Sequence, residues 1–521
     1  MTDSRRSFVS RIAFVTFAHS LNYPALGLAV DKKLINLVPK GPSLHPNYWC
    51  TWAAQNYMYG QGQPALDPQL LEGTPGAKLA EEQLREATLF GSKGWLENFY
   101  TKVRSDLYVL MDEGWEEGGY ATFIPDGNKF PSLHGTPPEK LKQLNEAVQA
   151  RGWRALALWC RDTPGGEADR ELVRWSRQAG IRYWKIDGGD KSFHVDQVRN
   201  QEQSPLVTEH VYPEGPLNGD WRKDGRFGPQ TWGLPRLEML RQADVYRTYD
   251  TSTTLSVPTT IDRIAELLKA SQGHAQLRAL LNCEDEVYLA AALGCTMGIM
   301  RHPLRGLRPS GDLDIAFAGP RETKRRMDEV VRAVRWQRIA APYPVSVGYL
   351  KVDENVLTDS WFFKRGETWY TESINSLAKQ GAPARLARNV DLPEVLNDGE
   401  RPFLVAGGFP NGALAIAAQQ RISNEKGWHT PLVDVTWKVG ECHHPIGIFG
   451  QFRSLTLRAT RPLRAARVLA QDLATDHAID ITSRVRIADR EITLPGEVIR
   501  EIGLSGATPG DLSDPGLVVR F

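Results

Sequence analysis

Residues Ile181–Asp190, I-R-Y-W-K-I-D-G-G-D, join an apolar, aromatic run suited to a buried strand to carboxylates and glycines. Lys185 and Asp187 are two apart, so on a strand they share a face, and a cation there keeps the carboxylate ionised. A second acid, Asp250, ends the run Val245-Tyr-Arg-Thr-Tyr-Asp250. Two carboxylates about 5–5.5 Å apart can carry a double displacement at a sugar's anomeric carbon, one attacking and the other protonating the leaving oxygen. A gap of about 6.5–9.5 Å would instead admit a water and invert. Asp250 would have to hold its proton near neutral pH, and Tyr246 and Tyr249 offer it a less polar surround.

Other reactive groups close further candidate strands: Asp112-Glu113-Gly114-Trp115, Cys160 beside Trp159, Glu209-His210, Arg247, Glu284-Asp285 and Arg301-His302. One carboxylate alone is usually solvated or caps a helix. Recurrence at the same end of successive units is the informative feature, because an α/β barrel keeps its chemistry there. Lys185 and Arg247 could equally form structural ion pairs. Trp115 and Trp184 suit a sugar-binding wall, and Trp184 suits core packing as well.

The elements that must hold these groups alternate. Candidate strands are Tyr48–Ala54, Leu107–Met111, Ala155–Cys160, Arg182–Ile186, Leu206–Val211, Val245–Tyr249, Leu277–Asn282 and Gly298–Arg301. Candidate helices are Lys78–Leu89, Pro138–Arg151, Asp169–Ala179, Thr260–Ser271, Glu284–Leu293 and Arg321–Ile339. Eight strands alternating with helices over residues 46–345 predict a (β/α)8 barrel. A doubly wound sheet is the alternative, but no GxGxxG or Walker sequence follows a strand. Asp67–Gly76 and Gly215–Gly233, rich in Gly and Pro, read as long loops on the functional face.

From about residue 346 the texture becomes β-rich. A hairpin is predicted over Trp361–Tyr370 around Arg365-Gly366, and short strands over Ala413–Ala418, Val433–Val439, Ser454–Ala459, Ala478–Ile487 and Glu497–Leu504. Residues 346–521 are read as a C-terminal antiparallel β-sandwich.

With 521 residues, 41% of them hydrophobic, the chain can bury a large core. Its 63 basic and 62 acidic residues nearly cancel, so nothing favours nucleic acid or an anionic membrane as partner. The five cysteines show no CxxC spacing and are read as free buried thiols; neither H-x-H nor H-E-x-x-H occurs, so no metal is expected. Residues 1–30 carry Arg5-Arg6 before Phe8 and a moderately apolar stretch, the pattern of a twin-arginine export signal and a periplasmic or secreted protein. A chance arginine pair before a first strand is the alternative, with residues 31–45 as an N-terminal segment. The stretch is too interrupted for a membrane span.

Tyr108-Val-Leu-Met-Asp-Glu-Gly-Trp115, Tyr183-Trp-Lys-Ile-Asp-Gly-Gly-Asp190 and Val245–Asp250 resemble, in order and spacing, three motifs of the α-galactosidase clan of glycoside hydrolases, families 27 and 36. Tyr48-Trp-Cys-Thr-Trp52 is similar to the opening strand of its raffinose-synthase-like members. The resemblance covers most of residues 45–310, with no room for a large N-terminal β domain, and implies a compact or sister-family member. It implies Asp187 as nucleophile and Asp250 as general acid/base, acting on an α-linked sugar at a non-reducing end without a cofactor. It makes Asp112 and Glu113 the clamp on the sugar's 4- and 6-hydroxyls, with Trp52, Trp115, Cys160, Lys185, Glu209, His210 and Arg247 as further contacts to a glycoside or oligosaccharide. The family has Asp where this chain has Glu113, one methylene longer, and such a change shifts sugar preference. Transglycosylation on the same site, a non-catalytic carbohydrate-binding barrel and a metal-dependent barrel hydrolase are the alternatives. Oligomeric state is not legible.

Overall fold

The structure is a computed structural model that describes residues 35–55, 73–92, 94–161, 163–187, 194–211, 234–248, 255–302, 326–363, 375–440, 443–463 and 467–521. The predicted export signal, Gly188–Asp190, the loop at 215–233, Tyr249, Asp250 and the Arg365-Gly366 turn lie outside the described residues.

Eight short parallel strands come first: β1 (Tyr48–Cys50), β2 (Tyr108–Met111), β3 (Ala155–Cys160), β4 (Tyr183–Ile186), β5 (Val207–Val211), β6 (Val245–Arg247), β7 (Leu280–Asn282) and β8 (Gly298–Ile299). Their order is β7-β6-β5-β4-β3-β2-β1-β8. Between β7 and β8 the pairing narrows to a single parallel bridge, Asn282 with Thr296, so the barrel is nearly closed. Runs such as Ala155-Leu-Ala-Leu-Trp-Cys160 are buried along their whole length, as parallel strands covered on both sides must be.

Helices fill the connections, among them Pro137–Gln149, Gly166–Ala179, His194–Gln201, Leu234–Gln242, Ser256–Ser271 and Val287–Leu293, with Met327–Gln337 after β8. The Thr136-Pro-Pro-Glu139 start shows why one begins where it does. Glu139 reaches back to accept the Thr136 backbone N–H at 2.8 Å, and proline in the first turn gives up no needed donor. Three expectations shift. The predicted Lys78–Leu89 helix is two, Gly73–Glu81 and Glu86–Phe90. The first strand stops at Cys50, and residues 52–55 turn helical. The predicted Glu284–Leu293 helix starts only at Val287, because Glu284 has φ +48°, in the left-handed region.

Strand parity divides the barrel. Tyr48, Cys50, Tyr108, Leu110, Ala155, Ala157, Tyr183 and Val245 pack together inside it. Their neighbours Trp49, Val109, Leu156, Leu158, Trp184, Ile186 and Leu281 pack with residues of the surrounding helices. Gly298 is needed on β8, since a Cβ there would sit 2.4 Å from Tyr48 Oη.

After the barrel the chain forms several sheets. An eight-stranded sheet contains Phe403–Gly408, Leu414–Gln419, Ile446–Phe449 and Gly516–Arg520 near its middle; a five-stranded sheet contains Asp434–Gly440, Ser454–Ala459 and Glu491–Pro495. Ile416, Ile448 and Val519 of the first share an apolar core with Trp437, Leu457 and Leu494 of the second. The region is not purely antiparallel as expected, because Arg385–Arg388 with Phe403–Gly408, Leu414–Gln419 with Ile446–Phe449, and Asp434–Gly440 with Ser454–Ala459 pair in parallel. The expected strand Glu497–Leu504 is a helix, Gly496–Gly503, with Val498, Ile499 and Ile502 buried at helical spacing. Of the hairpin expected over Trp361–Tyr370 only Trp361–Phe363 is described; these residues end Val356–Phe363, whose antiparallel partner is Ser376–Pro383 rather than residues 367–370.

The barrel and the eight-stranded sheet share a continuous core, in which Trp336 and Tyr288 meet Phe449 with ring centroids 6.0 and 4.8 Å apart. A buried ion pair crosses this contact. Arg332 donates twice to Asp472, at 2.9 and 3.1 Å, and both side chains are fully buried. Asp472→Ala would strand the guanidinium, so we expect a loss of about 3–5 kcal/mol in urea unfolding. A loss below about 1 kcal/mol would show that water reaches and solvates Arg332.

Candidate active site

Asp112, Lys185 and Asp187 meet at the C-terminal ends of β2 and β4. Each continues the inward parity of its strand, Asp112 after Tyr108 and Leu110, Lys185 and Asp187 after Tyr183. Lys185 Nζ donates to Asp112 Oδ2 at 2.9 Å and lies 3.9 Å from Asp187 Oδ2. Burial alone would raise the Asp112 carboxyl, but the Lys185 ammonium, its hydrogen bond and the Glu113 N–H outweigh that and hold it below the usual carboxylate range. For Lys185, burial and the nearby Arg247 disfavour the charge, yet Asp112 and Asp187 hold the ammonium above its usual range.

The Asp112 and Lys185 side chains are 6% and 4% exposed, against 22% for Asp187. Asp187 is therefore the more exposed of the two carboxylates and the one a ligand can reach. Trp159 Nε1 donates to its Oδ2 at 3.0 Å. Cys50 Sγ donates to Asp112 Oδ2 at 3.1 Å, and Thr51 Oγ1 accepts the Asp112 N–H at 3.0 Å.

Glu113 lies on the rim, where Tyr120 Oη donates to its Oε1 at 2.6 Å. Burial, offset in part by that hydrogen bond, leaves the Glu113 carboxyl above its usual range. Tyr120 is 47% exposed and meets Trp159 edge-on at 5.7 Å, with the Arg161 guanidinium over its ring at 5.1 Å. Gly114 lets the chain leave the rim, because its φ is +105° and a Cβ would sit 2.7 Å from Glu81 Cα. Arg247, on β6, is ion-paired with Glu284, two residues past the end of β7, whose backbone is left-handed. Backbone strain of this kind gathers at functional sites. Trp52 is half-buried against the interior cluster.

Four predicted contacts fall elsewhere. Glu209 is inside the barrel but sealed, accepting from Tyr48 at 2.8 Å, Tyr183 at 2.5 Å and Asn282 at 2.7 Å. Burial first, then Glu209, pushes both phenols well above their usual range. His210 has the outward parity and shares a 2.8 Å hydrogen bond with Asp196 of the His194–Gln201 helix. Cys160 likewise packs in the layer of outward strand residues and helices. Trp115 is fully buried, donating to the Trp159 carbonyl at 3.0 Å. It supports the wall from behind.

Trp159, Tyr120 and the identity of the ion-pair partner of Arg247, Glu284, escaped the sequence reading. Counting in twos from Ala155 through Ala157 selects Trp159 over Cys160, and the same count selects Glu209 over His210. No comparable signal marks Tyr120, which a loop brings to Glu113.

Among the described residues, no group of three or more His, Cys, Asp or Glu could hold a metal ion, and no helix is long and apolar enough to cross a membrane. The scaffold is a nearly closed parallel α/β barrel with polar groups gathered at the C-terminal ends of its strands, an architecture that many glycosidases share. No protein-family model matches the chain, and no curated protein matches it.

Proposed function

We propose that the chain is a retaining glycoside hydrolase of the α-galactosidase clan, with Asp187 as nucleophile and Asp250 as general acid/base. The observation that carries the reading is the Asp112–Lys185–Asp187 arrangement, one buried cation between a sealed carboxylate and a reachable one. Asp187 would attack the anomeric carbon as Asp250 protonates the departing oxygen, giving a glycosyl-enzyme ester; Asp250 would then deprotonate water, which releases the sugar with its configuration retained. Trp159 and Lys185 both engage Oδ2, so we assign the attack to Oδ1. Asp112 and Glu113 would bind sugar hydroxyls at the rim. The residues around 345 would mark the domain boundary, and the two facing C-terminal sheets would form a sandwich.

A panel of aryl α- and β-glycosides tests the function. Release of the aryl alcohol from one α-glycoside, chelator-resistant, is the expected result; cleavage of none, with sugar binding intact, would favour a carbohydrate-binding barrel. Trp52, half-buried beside the interior, keeps transglycosylation in view, and sugar–sugar products with added acceptors would identify it.

Trp159→Phe tests the assignment of Oδ2. Losing a hydrogen bond to a charged acceptor costs about 1.5–3 kcal/mol, so kcat/KM should fall roughly 10- to 100-fold. A fall of less than about threefold would mean that the indole packs without holding the carboxylate.

A further inference from the structure

Between Trp115 and Asp126 the chain doubles back on itself. Glu116 pairs with Pro125, the Glu117 N–H donates to Ile124 O at 2.8 Å and the Asp126 N–H donates to Trp115 O at 3.0 Å. Inside the turn, the Glu116 carboxylate accepts the Ala121 N–H at 3.0 Å and the Phe123 N–H at 2.8 Å. Ala121 and Phe123 both stand in the left-handed region, at φ +59° and +56°, which residues other than glycine adopt only at a cost. Phe123 anchors the turn: it is fully buried, and its ring meets Trp184 at 4.6 Å and Trp115 at 5.6 Å.

This strained and anchored turn delivers one exposed ring to the reactive carboxylates. Tyr120 Oη donates to Glu113 Oε1, and the Tyr120 ring meets edge-on the Trp159 ring, whose Nε1 donates to Asp187. Trp159 is itself buried, so of the two rings Tyr120 is the one a ligand meets. The hydrogen bond to Glu113, then burial, hold the phenol above its usual range, and Tyr120 stays a donor at neutral pH. Packing gains little from holding a half-exposed ring on a strained turn, whereas strain of this kind gathers where ligands bind. A phenol so placed combines an apolar face for the C–H surface of a sugar with a polar tip.

We propose that Tyr120 is a specificity-determining residue of the sugar site. Its hydroxyl holds Glu113 so that Oε2 faces one sugar hydroxyl, and its ring, on the face away from Arg161, walls the C–H surface of a pyranose. The inference rests on the glycosidase reading and adds to it the residue that selects the sugar. A carboxylate free to turn accepts from several hydroxyl arrangements. One held by Tyr120 accepts from a single arrangement, and an analogue lacking that hydroxyl is rejected.

The test measures kcat/KM of wild type, Tyr120→Phe and Tyr120→Ala on the α-glycosyl fluoride of the sugar cleaved fastest and on a set of its monodeoxy analogues. Fluoride is a small leaving group, so the changes report on the sugar that is transferred. Tyr120→Phe should lower kcat/KM for the parent about three- to tenfold, and Tyr120→Ala roughly tenfold further. The wild type should reject one deoxy analogue most strongly, and Tyr120→Phe should erase about tenfold of that preference. Tyr120→Phe combined with Glu113→Gln should cost less than the product of the two separate losses, because both act through one hydrogen bond. An unchanged deoxy preference in Tyr120→Phe, or losses that simply multiply, would overturn the proposal. Both Tyr120 variants keep the Phe123 anchor and should unfold at the wild-type urea midpoint. If the wild type turns over no fluoride, the hydrolase reading fails on its own, and calorimetric titration with the free monosaccharides decides. Binding weakened about tenfold in Tyr120→Ala would then sustain the proposal. Equal affinity, or no binding by either protein, would overturn it.

Discussion

Asp187→Gly should lower turnover of the best aryl α-glycoside roughly 10⁴-fold or more, and azide should restore part of it. The magnitude follows from the role assigned to the group. Deleting a nucleophile removes a covalent step, and losses of this order follow when one member of a catalytic unit is deleted. The glycine also opens a space facing the anomeric carbon, and Asp187 is the exposed member of its cluster, so a small anion can enter. Azide then attacks in its place, and the product is a glycosyl azide of inverted configuration. A loss below about tenfold would remove Asp187 from the chemistry. A large loss without azide rescue on activated substrates would leave it essential but argue against nucleophilic attack.

Lys185→Met should damage stability and activity together. The ammonium is nearly sealed and donates to an equally sealed Asp112. Replacing one partner leaves the other charge buried, a loss of about 3–5 kcal/mol. The sign of the pH effect follows from the lowered Asp112 value. In the wild type the folded pKa lies below the unfolded one, so this group's contribution is present above about pH 4 and is lost as pH falls through the folded value. In the variant burial acts without the cation, the folded pKa rises, and stability falls as pH climbs past about 4. The stability gap between wild type and variant should therefore narrow on acidification from pH 7 to pH 4, as read from urea midpoints. A gap of equal size at both would point to lost packing instead. Turnover should fall with it, because Asp187 loses the cation 3.9 Å from its Oδ2.

Much of the barrel could be read from the chain because its strands are short apolar runs that end in reactive groups. Asp112, Lys185 and Asp187 do come together, and inward parity explains why. Parity also explains the misplacements: His210 and Cys160 have the reactive side chains, yet one residue along a strand reverses the face, so Glu209 and Trp159 point inward instead. Glu209 further shows that inward is not the same as accessible, since Tyr48, Tyr183 and Asn282 enclose it. Tyr48 and Asn282 come from strands that do not pair with β5, and only the nearly closed sheet brings them near. In the C-terminal region, Glu497–Leu504 holds enough Val, Ile and Leu to suggest a strand, but its buried residues recur with helical spacing. Parallel pairings such as Leu414–Gln419 with Ile446–Phe449 depend on long crossovers, which no local pattern encodes.

The central claim is that Asp187 forms a covalent bond to sugar, and trapping that ester tests it most directly. A 2-deoxy-2-fluoro glycosyl donor of the sugar cleaved fastest should add one glycosyl unit to the intact mass, and peptide mapping should put it on Asp187. A label on any other carboxylate, or inverted product with no label, would contradict the account.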